Sequence, residues 1–373
     1  MSKYSFTLNS ANKLEEAVLE DFRRRVKGAP DDLSKEEMQS LDPEYFAFIQ
    51  SSMKEAEKAG YSNYSYWGST LRMFFKNKVG VTTFVILIIL IGFSLIQPFL
   101  PNQKSPTQIY NQMVLRPNGR WYEQQIRNHG PFQGLSYFGT TNDGTEIWEN
   151  FVFGTNNIGQ DLWARIWSGT RTSLRIGVTV GFVSILIGIS IGMMWGYIRP
   201  LDWFFTELYN VINNIPSTII LILASFLMRP SVGTIIFAMC IYTWLNMGRL
   251  VRNLTMMLRD REFNLASRCL GTSVFKIIFR NLLPQMVSII TLNFALAIPG
   301  AINSEVFLSY LGLGVDVNTP SLGNLLNAGR ALMMSPALRY QLLIPAAVLC
   351  VITISFYLMG NAFSDSADPR NHV

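Results

Sequence analysis

Charge is what this sequence has least of. Only 15% of its 373 residues are Asp, Glu, Lys or Arg, against about 25% in an ordinary water-soluble domain. That deficit argues for lipid-facing surface. Cysteine is nearly as scarce. Cys240 and Cys350 lie in apolar runs, Cys269 lies in a charged loop, and none falls in the polar segment 101–170. With no CxxC pair and only two histidines, His129 and His372, a disulfide framework, a zinc site or a histidine-based catalytic centre is not expected. Met1 to Pro30 holds no apolar core, so membrane insertion is expected to begin at the first apolar span rather than at a cleavable signal. The net charge of +6 is modest for a nucleic-acid binder, so the placement of the positive residues matters more than their number.

What is present is a set of long charge-free windows: 79–103, 176–198, 208–228, 230–248, 281–304 and 340–364. A helix needs roughly 20 apolar residues to cross the hydrocarbon layer. The chain is therefore expected to be an all-α polytopic membrane protein with six transmembrane helices. Buried helices of a large soluble protein are the plain alternative, but such proteins seldom hold six windows of this kind. Arg72, Lys76 and Lys78 precede the first window. Between the fourth and fifth lie Arg249, Arg252, Arg259, Arg261, Arg268, Lys276 and Arg280, against only Asp260 and Glu262. Positive loops stay in the cytoplasm, which predicts that both chain ends are cytoplasmic.

This divides the chain into a cytoplasmic N-terminal helical arm (1–75), transmembrane helix 1 (79–100), an extracellular segment (101–172), a transmembrane core of the remaining five helices (173–364) and a short cytoplasmic tail (365–373). In the arm, Leu14, Val18, Leu19, Phe22 and Val26 form an apolar stripe at helical spacing, and Asp42-Pro43 reads as the cap of a helix reaching about Lys58. The arm is either a hairpin packed on itself or the membrane, or a docking element for a partner. The segment 101–172 is too large for a simple connector. Its Trp121, Tyr122, Phe132, Tyr137, Phe138 and Trp148 are expected to build a small core.

Three segments invite a chemical reading. Gly154-Thr155-Asn156-Asn157-Ile158-Gly159 has the glycine spacing of a phosphate loop, but Gln160-Asp161 stands where that loop needs Lys and then Ser or Thr. Nucleotide binding is not expected there. Glu305 and Asp316 flank an apolar stretch after the fifth window. Intramembrane carboxylates mark ion-coupled transport, yet these two stand at one end of the span, where a structural role at the external mouth is expected. The third segment is the loop after the fourth window. A short helix over about Arg261–Leu270 turns Phe263, Ala266 and Leu270 to one face. Gly271 permits a sharp turn, and Pro284 stands at the entry to span 5, where its missing N–H costs least. The face suits docking into a groove. An ordinary surface turn is the alternative.

That loop also carries a resemblance. Glu262, Ala266, Ser267 and Gly271, followed by Leu283-Pro284, resemble the signature of permease subunits of bacterial binding-protein-dependent ABC importers. The resemblance implies a coupling helix at 261–271 that sits in a groove of an ATPase, with Glu262 anchoring it to the ATPase or to the adjoining turn, and Phe263, Ser267, Leu270 and Leu283 among the coupling residues. Gly154-Thr155-Asn156-x-x-Gly159-Gln160-Asp161, Leu308-Ser309-Tyr310-Leu311-Gly312-Leu313-Gly314, Pro320-Ser321-Leu322-Gly323 and Asp368-Pro369-Arg370 are similar to segments of the C-type subunit of oligopeptide/dipeptide permeases. Tyr64 to Ser69 and Asn264 to Arg268 look most like the Gram-positive members. Asn156 and Gln160 replace that subgroup's usual Asp and Arg, which puts its external ion pairing in doubt.

The resemblance implies a non-enzymatic permease for peptides in a bacterial cell membrane. Its expected partners are a second homologous permease, two cytoplasmic ATPase subunits, an extracellular peptide-binding lipoprotein and membrane lipid, with no nucleic acid. No cofactor is expected on this chain, since ATP and Mg²⁺ would bind the ATPases, and no metal site. Substrate-pathway residues are not assigned. A rival reading is an ion-coupled secondary transporter, which needs inverted repeats and broken helices. No repeat is visible, but Asn210, Asn213, Asn214 and Pro216 are placed to interrupt the third span. An intramembrane enzyme or sensor would need a nucleophile–base constellation or a soluble signalling domain, and the arm shows neither.

Overall fold

The computed structural model describes residues 66–115, 121–140 and 145–367, all within one compact unit, Ser65–Val373. The stripe from Leu14 to Val26, the helix expected from Asp42 and the Asp368-Pro369-Arg370 ending lie outside the described residues.

Helix α1 (Tyr66–Lys76) leads into α2 (Lys78–Ile96) through Asn77, whose side chain caps α2 by accepting from the Val79 and Gly80 amides. The boundary expected at residue 75 therefore cuts through the last turn of α1. Beyond the segment that follows come α3 (Leu162–Tyr197), α4 (Arg199–Asn213), α5 (Ser217–Leu227) and α6 (Val232–Arg259). A short α7 (Glu262–Cys269) precedes α8 (Leu283–Tyr310), α9 (Leu322–Arg330) and α10 (Tyr340–Ala367). Among the described residues, five helical segments are long and apolar enough to cross a membrane, and a sixth if α4 and α5 count as one span bent by 76°. The third window is thus a broken helix. The break falls at Asn214 to Pro216, where proline lacks the N–H that would continue the ladder.

The tightest packing joins α3 to α6. Gly188, Gly192 and Gly196 stand four residues apart on α3, and a methyl group added at Gly192 would lie 2.5 Å from the Gly248 carbonyl oxygen. Small residues at this spacing let two backbones approach within a membrane. Around that seam, Met193, Met247, Val251, Ile277, Ile278, Leu282, Met286 and Ile290 form one buried cluster. It fixes the far end of α6 against the entry to α8.

The segment between α2 and α3 is ordered, as expected, but it is built of strands. β1 (Asn111–Leu115) pairs antiparallel with β2 (Trp121–Gln125), and β3 (Leu135–Thr140) with β4 (Glu146–Asn150). Its core is Ile126, Phe138 and Phe151, with Tyr110 and Ile147 against it. Of the aromatics expected inside, only Phe138 is there. Phe132, in the turn before β3, is exposed, and so are Tyr137 and Trp148; successive strand residues face opposite sides, and on β3 Phe138 takes the inner one. The side chains of Trp121 and Tyr122 are outside the described set. Lys104 closes this core by pairing with Glu149 and lying 3.7 Å from the Phe151 ring centroid.

Candidate functional site

Helix α6 runs on past its apolar stretch, so Arg249, Arg252 and Arg259 are helical rather than in a loop. Arg252 pairs with Asp202 at 2.5 Å and lies over the Trp195 ring, while Arg249 lies over Tyr209. These contacts brace α4 against α6. Arg259 bonds Asp260 and the Gly196 carbonyl, and its hydrogen bond holds the Asp260 carboxyl below the usual range.

The chain then reverses into α7. Glu262 in the first turn and Arg268 in the last complement the helix dipole. Gly271 closes the helix at φ +76°, with the Thr272 amide reaching the Ser267 carbonyl at 3.1 Å. That is the left-handed cap glycine favours. Asn264 is the one buried side chain of α7. Its amide donates to the Leu258 carbonyl at 2.8 Å and its oxygen accepts from Asn281 at 3.3 Å. Asn281 also donates to the Ser267 hydroxyl at 3.1 Å. Asn264 therefore ties α7 to the end of α6 and to the approach to α8. Sequence reading had passed over it. Its signal was an amide inside a short helix, a residue type that favours caps and turns over helix interiors.

The remaining predicted residues lie as follows. Phe263, Ala266 and Leu270 are exposed, Leu270 at 85%. Glu262 is exposed and its side chain makes no hydrogen bond or ion pair among the described residues, so the adjoining turn does not hold it. Ser267 is half-buried and bonded back to the Phe263 carbonyl. Leu283 packs on the cluster beneath, and Pro284 occupies the first turn of α8. Between α7 and α8 stand one helical turn, Val274–Lys276, and a π-helical turn, Ile277–Leu282. Such turns mark helices under strain or at functional sites. Among the described residues, no cluster of His, Cys, Asp or Glu could hold a metal ion.

At the other end of α8, Glu305 is fully buried. It accepts from Ser173 at 3.1 Å, Ser309 at 3.0 Å and Ser321 at 2.8 Å, joining α3, α8 and the cap of α9. Asp316 is exposed and caps a turn through the Asn318 amide. The two carboxylates do not share a site. The 154–161 segment is a tight turn into α3, with Gly154 and Gly159 at positive φ. Asn156 donates to Gln160 at 3.0 Å, so two amides meet where the resemblance led to the expectation of an ion pair. Asp161 caps α3 through the Ala164 amide, and burial pushes its carboxyl up to about 6.

The arrangement is a polytopic bundle with a short helix tethered beside the π turn that opens one long span. The chain belongs to the family described as the inner membrane component of binding-protein-dependent transport systems, which matches residues 184–372. Residues 65–117 match the N-terminal transmembrane domain of oligopeptide transport permease C. The chain is 31% identical to an oligopeptide transport system permease protein of Streptococcus pneumoniae, over 90% of this chain and 100% of that protein. It is 29% identical to a dipeptide transport system permease protein of Bacillus subtilis, over 91% and 97% of the two chains. An oligopeptide permease protein of the same organism is 28% identical over 89% and 99%. The chain is thus a multi-pass membrane permease component of an ABC importer.

Proposed function

We propose that this chain conducts peptides, as one half of the pathway of an ATP-driven importer in a bacterial cell membrane. A second, homologous permease supplies the other half. An extracellular peptide-binding lipoprotein delivers substrate to the end near Glu305. Two cytoplasmic ATPase subunits bind and hydrolyse ATP with Mg²⁺, and one of them receives α7. This chain then needs no cofactor and performs no catalysis. Both termini are cytoplasmic, the spans contact lipid, and nucleic acid has no part. The relatives from Streptococcus and Bacillus support a peptide substrate and a Gram-positive setting.

The observation that carries this reading is the two-sidedness of α7. One side is pinned by Asn264, and the other leaves Phe263, Ala266 and Leu270 open to a groove. A rigid displacement of α7 is passed to α8 through the π turn, switching the bundle between two arrangements. Gly271→Arg and Ala266→Asp test it in the assembled importer. Both are expected to abolish peptide uptake at normal membrane levels, with ATPase subunits lost on purification or hydrolysing without transport. Near-normal uptake in both variants would make α7 an ordinary surface turn.

A further inference from the structure

Two clefts open on one side of the bundle. The first, of about 370 Å³, lies between α3, α6 and α8 and is lined by Ser184, Tyr242, Asn246, Asn293 and Ser304. The second, of about 260 Å³, lies at the break between α4 and α5 and is lined by Asn213, with Tyr242 and Asn246 again. Tyr242 and Asn246 belong to both, so the clefts adjoin. Ser184, Asn213, Asn246 and Asn293 all fall inside charge-free windows, and Ser304 closes one. From Ser304 to Asn293 the track covers about 16 Å along α8 at 1.5 Å per residue. That is about half of the 30 Å hydrocarbon thickness.

Polar side chains at such depth face a cavity, a pathway or another helix rather than lipid. Two of these have no use inside the chain. The Asn246 and Asn213 carboxamides make no hydrogen bond among the described residues, and both are exposed. Irregular backbone at membrane depth is tolerated where it lines a cavity, and the break at Asn214 to Pro216 opens on the second cleft. Neither cleft is lined by Asp, Glu, Lys, Arg or His.

We infer that Asn213, Asn246 and Asn293 form a carboxamide track that binds the main chain of the transported peptide. This rests on the peptide-import reading. A carboxamide offers one acceptor oxygen and two donor hydrogens, the complement of a peptide's C=O and N–H. An uncharged lining makes no ion pair with a substrate side chain and repels none, so main-chain recognition tolerates acidic, basic and neutral residues alike. The first cleft, at about 370 Å³, is of ligand size, and the second adjoins it.

The test uses the assembled importer in proteoliposomes, with tetra-alanine as probe. Asn246→Leu with Asn293→Leu is expected to cut uptake at least tenfold, with all subunits still co-purifying. Asn246→Gln is expected to retain most uptake. In a complex whose Cys240, Cys269 and Cys350 are serine, Asn246→Cys is expected to react with a water-soluble thiol reagent, more slowly when tetra-alanine and ATP are present. Unchanged uptake in the double variant would overturn the track and leave the permease reading intact. Subunit loss in that variant, or a thiol unreactive in every nucleotide state, would make the face a permease–permease contact and overturn it too. If the unaltered complex imports no peptide while hydrolysing ATP, the peptide-import reading itself fails.

Discussion

The two ends of the span Val274–Tyr310 are built on opposite plans. At the Tyr310 end, a fully buried carboxylate is satisfied by three hydroxyls from three different elements. A methyl group added at Gly323 would come within 2.5 Å of Glu305 Oε1, so α9 is seated as closely as a side-chain-free backbone allows. At the Val274 end, α7 is held by the buried Asn264 amide and by the Asn281–Ser267 hydrogen bond, and the chain enters the span through a π turn. Leu265, Leu270, Val274 and Phe275 are left exposed there. Exposed apolar side chains stand at both ends, with Phe307, Tyr310 and Leu311 at the first, so the difference lies in the fastening: a buried carboxylate shared by three elements against amides that tie down one short helix. If α7 couples to an ATPase as proposed, the Tyr310 end is the pivot of that movement and the Val274 end its lever.

The largest effect is expected at the pivot. Glu305→Ala leaves the Ser173, Ser309 and Ser321 hydroxyls without their common acceptor and opens a void. The cost is about 3–4 kcal/mol, read as lower yield and a lower melting temperature of the purified complex. Glu305→Gln keeps an acceptor oxygen and is expected to cost less than half as much. Equal loss in both would mean that shape, and not hydrogen bonding, holds this end together.

Charge-free windows revealed the spans because the membrane penalises charge over the whole length of a crossing. The partnership of Glu305 was not readable in that way. Ser173 stands 132 residues from it in sequence and Ser321 stands 16 away, and serine carries no periodic signal. The bend of the third span was foreshadowed by Asn213, Asn214 and Pro216, since proline has a local effect on the backbone. The π turn has no such marker in Ile277–Leu282. The strands between α2 and α3 went unforeseen because they are five or six residues long and lie among glycines and prolines. In the proposed coupling segment, Gly271 and the exposed face were apparent from spacing. Asn264 was not, because its role depends on Asn281, 17 residues on.

A smaller effect tests the pivot side through pH. Asp161 caps α3 on the same side as Glu305, and burial raises its carboxyl from 3.8 to about 6. A folded-state value above the unfolded one means that the folded chain binds the proton more tightly. Stability from this group is fully present below about pH 4 and is lost as pH rises through about 6. The full loss is on the order of 2–3 kcal/mol. Asp161→Asn keeps an oxygen for the Ala164 amide, as asparagine caps well, and removes the charge. The variant is expected to melt higher than the native chain at pH 7.5 and at the same temperature near pH 4. His129 works in the other direction, since burial first and then Lys104 lower its value, but it is common to both proteins and cancels in the difference. A melting difference that does not change with pH would mean that Asp161 stays charged throughout.

The smallest effect on stability sits at the lever and is the most informative about its partner. Gly271 has φ +76°, and a methyl group added there would meet nothing within 4 Å. Any cost of substitution inside the chain is therefore conformational alone. Alanine at a left-handed position costs about 1 kcal/mol. Asparagine, which visits that region readily, is expected to cost a few tenths of that figure, within the error of a melting curve. Gly271→Asn should thus leave the permease as stable as the native chain, while Gly271→Ala lowers the melting temperature slightly. If α7 is seated in an ATPase groove that closes over the turn, uptake falls in both variants in proportion to side-chain size and not to stability, with asparagine the worse. If the groove covers only Phe263, Ala266 and Leu270, uptake follows stability instead, and asparagine is nearly silent. Uptake and melting temperature, measured together on the two variants, thus map how far the partner reaches around the helix end.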